Sequence, residues 1–184
     1  MQVLSKTING LSQDAIGGTV MAIQENPAIA HFELRATNTW IGGTHTRSYI
    51  QGFYGAGKED TSRVEPFIYD HDEPPVLLGN NHGANPGEVL LFGLLSCMTT
   101  AMVILAAARG IELKSVSSKI EGDIDLKGFL GLDASVKKEF TQLRITFDID
   151  GVDEETKMEL ITLAKQSPVF NSLTNPVDVQ VNLA

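Results

Sequence analysis

The stretch NPGEVLLFGLLSCMTTAMVILAAARG, from Asn85 to Gly110, decides the fold. No side chain between Glu88 and Arg109 is charged. Asn85 and Glu88 have the spacing of a helix cap with a carboxylate that reaches back to it, and Pro86 suits the first helical position. Gly110 is typical of the residue just beyond a helix end. The stretch therefore predicts one long apolar helix.

A helix of this length and composition is also a candidate membrane span, since about 20 apolar residues cross a bilayer. Gly93, Ser96, Thr99 and Thr100 dilute its apolar character, and neither an aromatic belt nor a Lys/Arg asymmetry flanks it. We therefore interpret it as the buried helix of a soluble protein. A helix that is apolar on every side has to be enclosed, either at the centre of its own chain or by a second chain.

The segments around this helix favour a mixture of strands and helices. Alternating apolar and polar residues predict strands over His31–Ile41, Thr46–Tyr54, Val64–Tyr69, Lys114–Leu126, Phe140–Ile149 and Val177–Leu183. Further helices are predicted over residues 11–25 and from a cap at Asp153 to about Gln166. The Gly, Asn and Pro content of residues 70–84 predicts a long loop, and long loops are often functional. The class is α+β, with one domain over residues 1–184 and residues 1–29 as an N-terminal helical extension.

Composition narrows the class of protein further. The chain has 184 residues with one cysteine, and its 14 Lys and Arg against 23 Asp and Glu give a net charge of -9. Such an acidic chain without a basic cluster is not expected to bind nucleic acid or an anionic membrane surface. A lone cysteine excludes a disulfide framework and indicates a reducing compartment. Because the first residues do not read as a secretory signal, we expect the cytoplasm.

Cys97 is the first candidate for chemistry, because it is the only thiol and lies midway along the apolar helix. A buried free cysteine usually packs as a small hydrophobic residue, whereas a nucleophile needs partial exposure and a thiolate. Gly93 and Ala101, four residues to either side, leave room beside the thiol. Glu88 precedes it by nine residues, about 13.5 Å along the axis and on the opposite helix face, so a capping role is expected for Glu88.

The remaining polar candidates are histidines and arginines. The four histidines are His31, His45, His71 and His82. None has the spacing of a metal-ligand pair and no phosphate-binding glycine pattern is complete, so we expect neither a metal nor a cofactor. The run His71-Asp72-Glu73 is interpreted as a solvated turn. Arg35 and Arg47 lie on the predicted hairpin, either as surface groups or as cations that reach over the apolar helix.

The run from Asn85 to Cys97 resembles the helix that marks the OsmC/Ohr family, with an N-P-x-E-like opening, many small residues and a cysteine near its middle. The likeness covers about residues 30–184 in element order. It continues through Ala106-Ala107-Ala108-Arg109-Gly110-Ile111, Glu121-Gly122-Asp123 and Ser167-Pro168-Val169. The loop Asp72-Glu73-Pro74-Pro75 and the segment Gly122–Gly131 are similar to one subgroup, which lacks the second cysteine.

The resemblance implies antiparallel sheets wrapped around long central helices in an intertwined homodimer, with the sites at the subunit interface. It also implies thiol-dependent reduction of organic hydroperoxides, in which a peroxidatic thiol becomes a sulfenic acid and condenses with a resolving thiol. Cys97 matches the peroxidatic position. Ser167 stands where the family has its resolving cysteine, so an external thiol reductant would have to act as resolver.

Two further positions depart from the family pattern. The catalytic glutamate of the family stands ten residues before the cysteine, where this chain has Gly87 and carries Glu88 one place later. The arginine of the family follows a Gly-Gly turn, where this chain has Thr44, and Arg47 is the nearby substitute. The candidate catalytic residues implied by the resemblance are therefore Cys97, Arg47 and Glu88.

Three functions follow from these residues. In the first, an OsmC-like stress-response protein acts as a one-cysteine thiol peroxidase: Cys97 attacks a small organic hydroperoxide, Arg47 favours the thiolate, and an external thiol regenerates it. In the second, a non-catalytic dimer binds a hydrophobic small molecule at the subunit interface, and Cys97 lines that pocket. The third is a hydrolase or transferase that uses His45 or His82, for which no specific motif speaks.

Overall fold

The computed structural model describes residues 6–183. They form two compact units, one of residues 14–90 and one of residues 91–183 together with residues 6–13. The first unit is built mainly from antiparallel strands, and the second combines two two-stranded sheets with helices. This mixture confirms the α+β class. The assignment of the whole chain to a single domain stays a prediction.

The described elements are nine strands and five α-helices, with the strands β3 to β7 following one another between α1 and α2. In order they are β1 (Thr7–Ile8), β2 (Leu11–Ser12), α1 (Gln13–Glu25), β3 (Thr37–Gly42), β4 (His45–Ile50), β5 (Phe53–Gly55), β6 (Lys58–Asp60), β7 (Phe67–His71), α2 (Pro86–Ala108), β8 (Ser115–Asp123), α3 (Leu126–Phe129), β9 (Gln142–Asp150), α4 (Glu154–Ala164) and α5 (Pro168–Thr174). Single 3₁₀ turns lie at Pro27–Ala30 and Pro75–Leu77.

The unit of residues 14–90 contains an antiparallel sheet in the order β3-β4-β7. The β3–β4 hairpin confirms the hairpin predicted around the Gly-Gly turn. However, β3 begins at Thr37 and not at His31, because residues 31–36 pair with another strand only through the single bridge between Glu33 and Tyr54. The β4–β7 register sets Arg47 opposite Asp70. Partners in a ladder point to the same face of the sheet, so this register brings their side chains together.

The predicted strand over residues 46–54 is divided in the structure. Gln51 and Gly52 separate β4 from β5, and β5 pairs with β6, a strand that the sequence did not predict. The side-chain Nε2 of Gln51 donates to the carbonyl oxygens of Arg63 and Val64, so the break between β4 and β5 contacts the segment that leads into β7. The short strand expected over residues 64–69 begins later, at Phe67.

Helix α2 has the bounds that its capping residues predict, and Gly110 follows its end with a φ of 78°. One side of the helix is buried in the main core of the protein. The core residues are Leu94, Met98, Met102, Ala106, Ile149, Leu160, Leu163 and Ala164. Leu90, Phe92 and Ile104 stay exposed on α2. The described chain therefore encloses only part of this apolar helix.

Among residues 6–183, α2 is the one helix long and apolar enough to cross a membrane by length and composition. The same test is passed by core helices of soluble proteins, and α2 contributes four buried residues to a core that it shares with β9 and α4. Only 22% of its apolar window is buried within the described residues, so the interpretation of α2 as a buried helix stays a prediction.

The unit of residues 91–183 places β8 and β9 side by side over nine residue pairs, from Ser115–Asp150 to Asp123–Gln142. Between them the chain forms the short helix α3, which the sequence did not predict. Asp153 caps α4 by accepting a hydrogen bond from the Thr156 backbone at 2.8 Å, as its position predicts.

Pro168 follows the end of α4 and also opens α5, a helix absent from the prediction. Ser167 is fully buried there, and its hydroxyl oxygen accepts a hydrogen bond from the Phe170 backbone at 3.2 Å. Proline suits the first turn of a helix because it has no N–H to satisfy, and a preceding serine is a favoured cap.

The strand predicted over Val177–Leu183 is wrong for the isolated chain. Residues 176–183 form no regular element, and Val177, Val179, Val181 and Leu183 are all exposed. A strand makes its hydrogen bonds only with a neighbouring strand, so an alternating pattern forms no strand until a sheet edge is available.

Two methionines that differ in burial should contribute unequally to the free energy of unfolding. Met102→Ala removes a side chain that is 0% exposed and should lower the free energy of unfolding by about 2–5 kcal/mol. Met158→Ala is the matched control, because Met158 is 69% exposed and its truncation should change stability by about 0.5 kcal/mol or less. Urea denaturation measures both, and equal costs would contradict the assigned core.

Candidate functional site

Cys97 lies on α2 between the buried residues Leu94 and Met98, and its own side chain is half-buried. The thiol is therefore neither sealed in the core nor fully exposed. This intermediate burial leaves open the access that a nucleophile needs.

Glu88 occupies the first turn of α2 and acts there as a cap. Its carboxylate accepts a hydrogen bond from the Asn85 backbone at 2.9 Å, while the Asn85 side-chain oxygen accepts from the backbone of Gly87 at 2.7 Å and of Glu88 at 3.3 Å. These reciprocal bonds satisfy N–H groups that have no partner within the helix. The capping role expected for Glu88 is confirmed, and its catalytic role stays a prediction.

Arg47 makes a two-point contact with Asp70 on the β4–β7 ladder. Its Nε donates to Oδ1 at 2.9 Å and its Nη2 to Oδ2 at 3.2 Å. The bond from Arg47, and next the one from His45, lower the pKa of Asp70 from 3.8 to about 2. The same bond raises the pKa of Arg47. Both groups are therefore charged at any physiological pH.

His45 joins this pair from the start of β4. Its Nε2 lies 2.7 Å from Asp70 Oδ1, the oxygen that also binds Arg47. The ring of His45 also stacks on that of His82, with centroids 4.5 Å apart and an interplanar angle of 7°. His45 thus connects the arginine on the hairpin to the long loop that follows β7.

Asp72 holds that loop from within. Its side chain is 1% exposed, and it accepts hydrogen bonds from the Thr44 hydroxyl at 2.6 Å and from His82 Nδ1 at 2.6 Å. It also accepts from the backbones of Glu73, Asn80 and His82. These bonds, that of Thr44 above all, hold the pKa of the Asp72 carboxyl well below its usual range although burial opposes this. The interpretation of His71-Asp72-Glu73 as a solvated turn is therefore wrong at Asp72.

Glycines let the loop pack closely against its own anchor. A Cβ on Gly79 would lie 1.8 Å from the Glu73 carbonyl oxygen, and one on Gly83 would lie 1.9 Å from that of Asp70. Leu78 adopts a left-handed conformation, with φ of 69°, which is uncommon for a residue with a side chain. Such a conformation persists where the surrounding bonds determine it, here those of Asp72.

The same loop meets the start of α2. Asn85 donates its side-chain N–H to the carboxylate of Glu73, the residue after Asp72. Because the other end of that amide caps the helix, the loop orients the cap as well as the imidazole of His82.

Arg35 does not share this network. Its guanidinium donates to Glu33 at 2.7 Å and to both oxygens of Glu59 at 2.9 Å. The hydrogen bond to Glu59, and next the one to Glu33, raise the pKa of Arg35. Arg35 lines a shallow open depression of about 440 Å³, together with Tyr49 and Gln51. Two carboxylates already neutralise the cation, so this depression offers little attraction for an anion.

Metal-ligating side chains do not converge in the part of the chain that the structure describes: no group of three His, Cys, Asp or Glu residues lies close enough to hold an ion. His45 and His82 are neighbouring imidazoles, but their rings stack in parallel. A metal lies in the plane of each imidazole that binds it, and two stacked parallel rings cannot both point at one ion.

Sequence reasoning named Arg47, His45 and His82 separately but missed what joins them. Asp70 and Asp72 were placed in a loop, because the alternation of β7 was read as ending at Tyr69. Extending that strand to His71 would have included Asp70 in β7, but only the observed register places Asp70 opposite Arg47. The length of the following loop was the one signal that pointed to this region.

Comparisons with known proteins identify a matching family model and similar folds. The model of the OsmC-like protein family matches residues 79–182. No curated protein matches the chain.

Several solved structures are similar to the chain at low sequence identity. An OsmC-like protein from Mycoplasma pneumoniae superposes with a TM-score of 0.59 at 16% identity, over 78% of this chain and 89% of that one. The organic hydroperoxide resistance protein OsmC from Legionella pneumophila gives 0.54 at 20% identity, over 79% and 93%. An organic hydroperoxide resistance protein from Elizabethkingia anophelis gives 0.52 at 22%, over 78% and 89%. These likenesses confirm the fold.

The pairing of Asp70 predicts a pH dependence of stability. Its pKa falls from 3.8 to about 2 on folding, so the stability it contributes is present above pH 3.8 and is lost as the pH falls through about 2. The free energy of unfolding should therefore decrease less steeply in this window for Asp70→Asn than for the wild type. Denaturant titrations at a series of pH values measure the difference. Arg47→Ala should likewise make the free energy of unfolding less dependent on pH in this range. Parallel curves for all three proteins would contradict the pairing of Arg47 with Asp70.

Proposed function

The chain belongs to the OsmC-like protein family, and from that premise we propose that it reduces small organic hydroperoxides with Cys97 as its single reacting thiol. The observation that carries the proposal is the place of Cys97, the only cysteine, half-buried and midway along the helix that marks the family. Solved relatives of the same fold carry names of organic hydroperoxide resistance proteins, which supports this substrate class.

The reaction consists of an oxidation of Cys97 by the peroxide and a reduction of Cys97 by an external dithiol. The Cys97 thiolate attacks the outer oxygen of the hydroperoxide, the O–O bond breaks, and the alkoxide takes a proton and leaves as an alcohol. Sulfur is oxidised by two electrons to a sulfenic acid as the peroxide is reduced. A thiol of an external dithiol reductant then displaces water from the sulfenic acid. Its second thiol breaks the mixed disulfide and returns Cys97 to the thiolate.

An external reductant is part of the proposal because the chain has no second cysteine. At the position where a resolving thiol would stand, Ser167 caps α5 through its hydroxyl oxygen. A hydroxyl does not condense with a sulfenic acid to form a disulfide. A protein that depends on a reduced thiol suits a reducing compartment, so we place it in the cytoplasm.

Arg47 and Glu88 are the proposed partners of the thiol. The guanidinium of Arg47 remains charged through its bonds to Asp70 and supplies the cation that favours a thiolate. Glu88 begins the helix that carries Cys97, and we assign its carboxylate to the catalytic group as well as to the cap. Both side chains belong to the unit of residues 14–90, and the variants described below test their action on Cys97.

We also propose that the protein is a homodimer. Two apolar surfaces of the single chain support this: the exposed residues of α2, and the alternating Val177, Val179, Val181 and Leu183. Each is patterned for burial but is not covered by any part of residues 6–183. A second copy supplies both a sheet edge for the tail and an apolar surface for the helix.

Peroxide consumption tests the proposed chemistry. The reduced wild type with cumene hydroperoxide and dithiothreitol should consume peroxide, and Cys97→Ser should reduce the rate to that of the reagents alone, because the nucleophile is lost. Ser96→Ala, a change at the neighbouring position of α2, is the control and should retain activity. A wild type that consumes no peroxide and forms no sulfenic acid trapped by dimedone would overturn the proposal in favour of a non-catalytic dimer that binds a hydrophobic ligand.

Two variants separate the roles of the partners in the same assay. Arg47→Ala should lower kcat/KM by roughly 100-fold, the usual cost of losing one electrostatic stabiliser. Glu88→Gln keeps an oxygen that accepts the Asn85 N–H, so its melting temperature should be unchanged while kcat falls. Unchanged kcat in Glu88→Gln would leave Glu88 as a cap alone.

Substitutions in the tail of residues 177–183 test the proposed dimer. The double change Val179→Asp and Val181→Asp places charges on the alternating apolar face and should convert a dimer to a monomer in light scattering coupled to size exclusion. The control is Gln180→Asp with Asn182→Asp, which adds equal charge on the opposite face and should leave the dimer intact. A monomeric wild type, or equal effects of both pairs, would contradict the proposal.

A further inference from the structure

The loop after β7 carries a chain of contacts that ends at Arg47. It begins at Asp72, the most buried carboxylate of the described chain, which holds His82 through both its ring nitrogen and its backbone N–H. The ring of His82 stacks on that of His45. His45 in turn binds the Asp70 oxygen that also accepts from Arg47.

From these contacts we infer that Asp72 is a positioning residue, which acts through the His82–His45 stack and Asp70 to hold the guanidinium of Arg47 in one orientation. The inference rests on the proposed function, in which Arg47 serves the thiol of Cys97. Asp72 itself is not assigned to the reacting group.

The direction of the hydrogen bonds fixes both rings. An ionised carboxylate only accepts, and both Asp70 and Asp72 are ionised at neutral pH because their hydrogen bonds lower their pKa values. His82 must therefore carry its proton on Nδ1, and His45 must carry one on Nε2. Each ring is held at one edge by a carboxylate and on one face by the other ring, which leaves it little freedom to rotate.

Burial decides which end of the chain of contacts is the anchor. Arg47 and Asp70 have side chains that are 39% and 30% exposed, and the ion pair of two such groups alone is weak and mobile in water. His45 is 14% exposed, and Asp72 is held by five donors and almost fully removed from solvent. His82, which joins Asp72 to His45, is 50% exposed and is held by its bonds to Asp72 and by the stack on His45. The contacts thus lead from the buried carboxylate through the two rings to the arginine.

A guanidinium on a flexible side chain loses rotamer entropy when it is held in place. If the structure holds it before the substrate arrives, that cost does not fall on the reaction. A fixed Arg47 is therefore more useful to a thiolate than a mobile one.

Nuclear magnetic resonance on the reduced full-length protein tests the inference without reference to activity. In the wild type, the Nε–H of Arg47 should give a signal protected from exchange with water, and His82 should show the Nδ1–H tautomer. Asp72→Asn replaces one accepting oxygen by a donor, so it should weaken the His82 tautomer preference and increase the exchange rate of the Arg47 Nε–H at least 10-fold. Asp125→Asn is the matched control, since Asp125 also accepts a backbone hydrogen bond in a turn, and it should leave both signals unchanged.

Milder variants keep the test decisive should Asp72→Asn fail to fold. Thr44→Val preserves side-chain shape and removes one donor to Asp72, and His82→Phe retains a ring for the stack but removes the bond to Asp72. Both should increase Arg47 Nε–H exchange by a smaller factor than Asp72→Asn. Unchanged exchange in both would overturn the inference.

The kinetic arm asks whether the positioning acts on the reaction. Asp72→Asn should lower kcat for peroxide consumption several-fold with little change in KM, and the loss should disappear in an Arg47→Ala background, because the two residues then act as one unit. Independent, multiplying losses would overturn the inference. If the wild type consumes no peroxide, the proposed function fails, and the exchange measurement still decides whether Asp72 positions Arg47.

Discussion

Helix α2 is uncharged between Glu88 and Arg109, so water solvates none of its faces well, and the rest of the structure depends on covering it. The core of the unit of residues 91–183 forms where β9 and α4 meet one side of this helix. Leu90, Phe92 and Ile104 remain uncovered. Burial of the second side is the physical reason to expect a partner copy, because an apolar helix gains stability on every face that leaves water.

The start of α2 is held as firmly as its core. Asn85 and Glu88 cap it in a local exchange of hydrogen bonds, and Glu73 binds the capping amide from the preceding loop. That loop is in turn held by the buried carboxylate of Asp72. The helix that carries the thiol and the network that holds Arg47 thus share one anchored segment, residues 72–85.

The candidate site shows how far local sequence reasoning reaches. Glu88 was expected to cap α2 and does so, since the distance between Asn85 and Glu88 is set by helix geometry alone. Cys97 could be singled out because it is the only thiol. Asp72 was read as solvated because its immediate neighbours are polar. Its burial comes from Thr44, 28 residues earlier, and from His82, ten residues later.

The sequence by itself determined the long helix with its caps, the α+β class, the β3–β4 hairpin and the likeness to a family, because each depends on residues close together in the chain. Only the tertiary structure decided that Arg47 pairs with Asp70 and that His45 stacks on His82, since both depend on strand register and loop path. The tail of residues 177–183 shows the same limit from the other side. Its alternation specifies which face should be buried, but a strand exists only where another strand offers its edge.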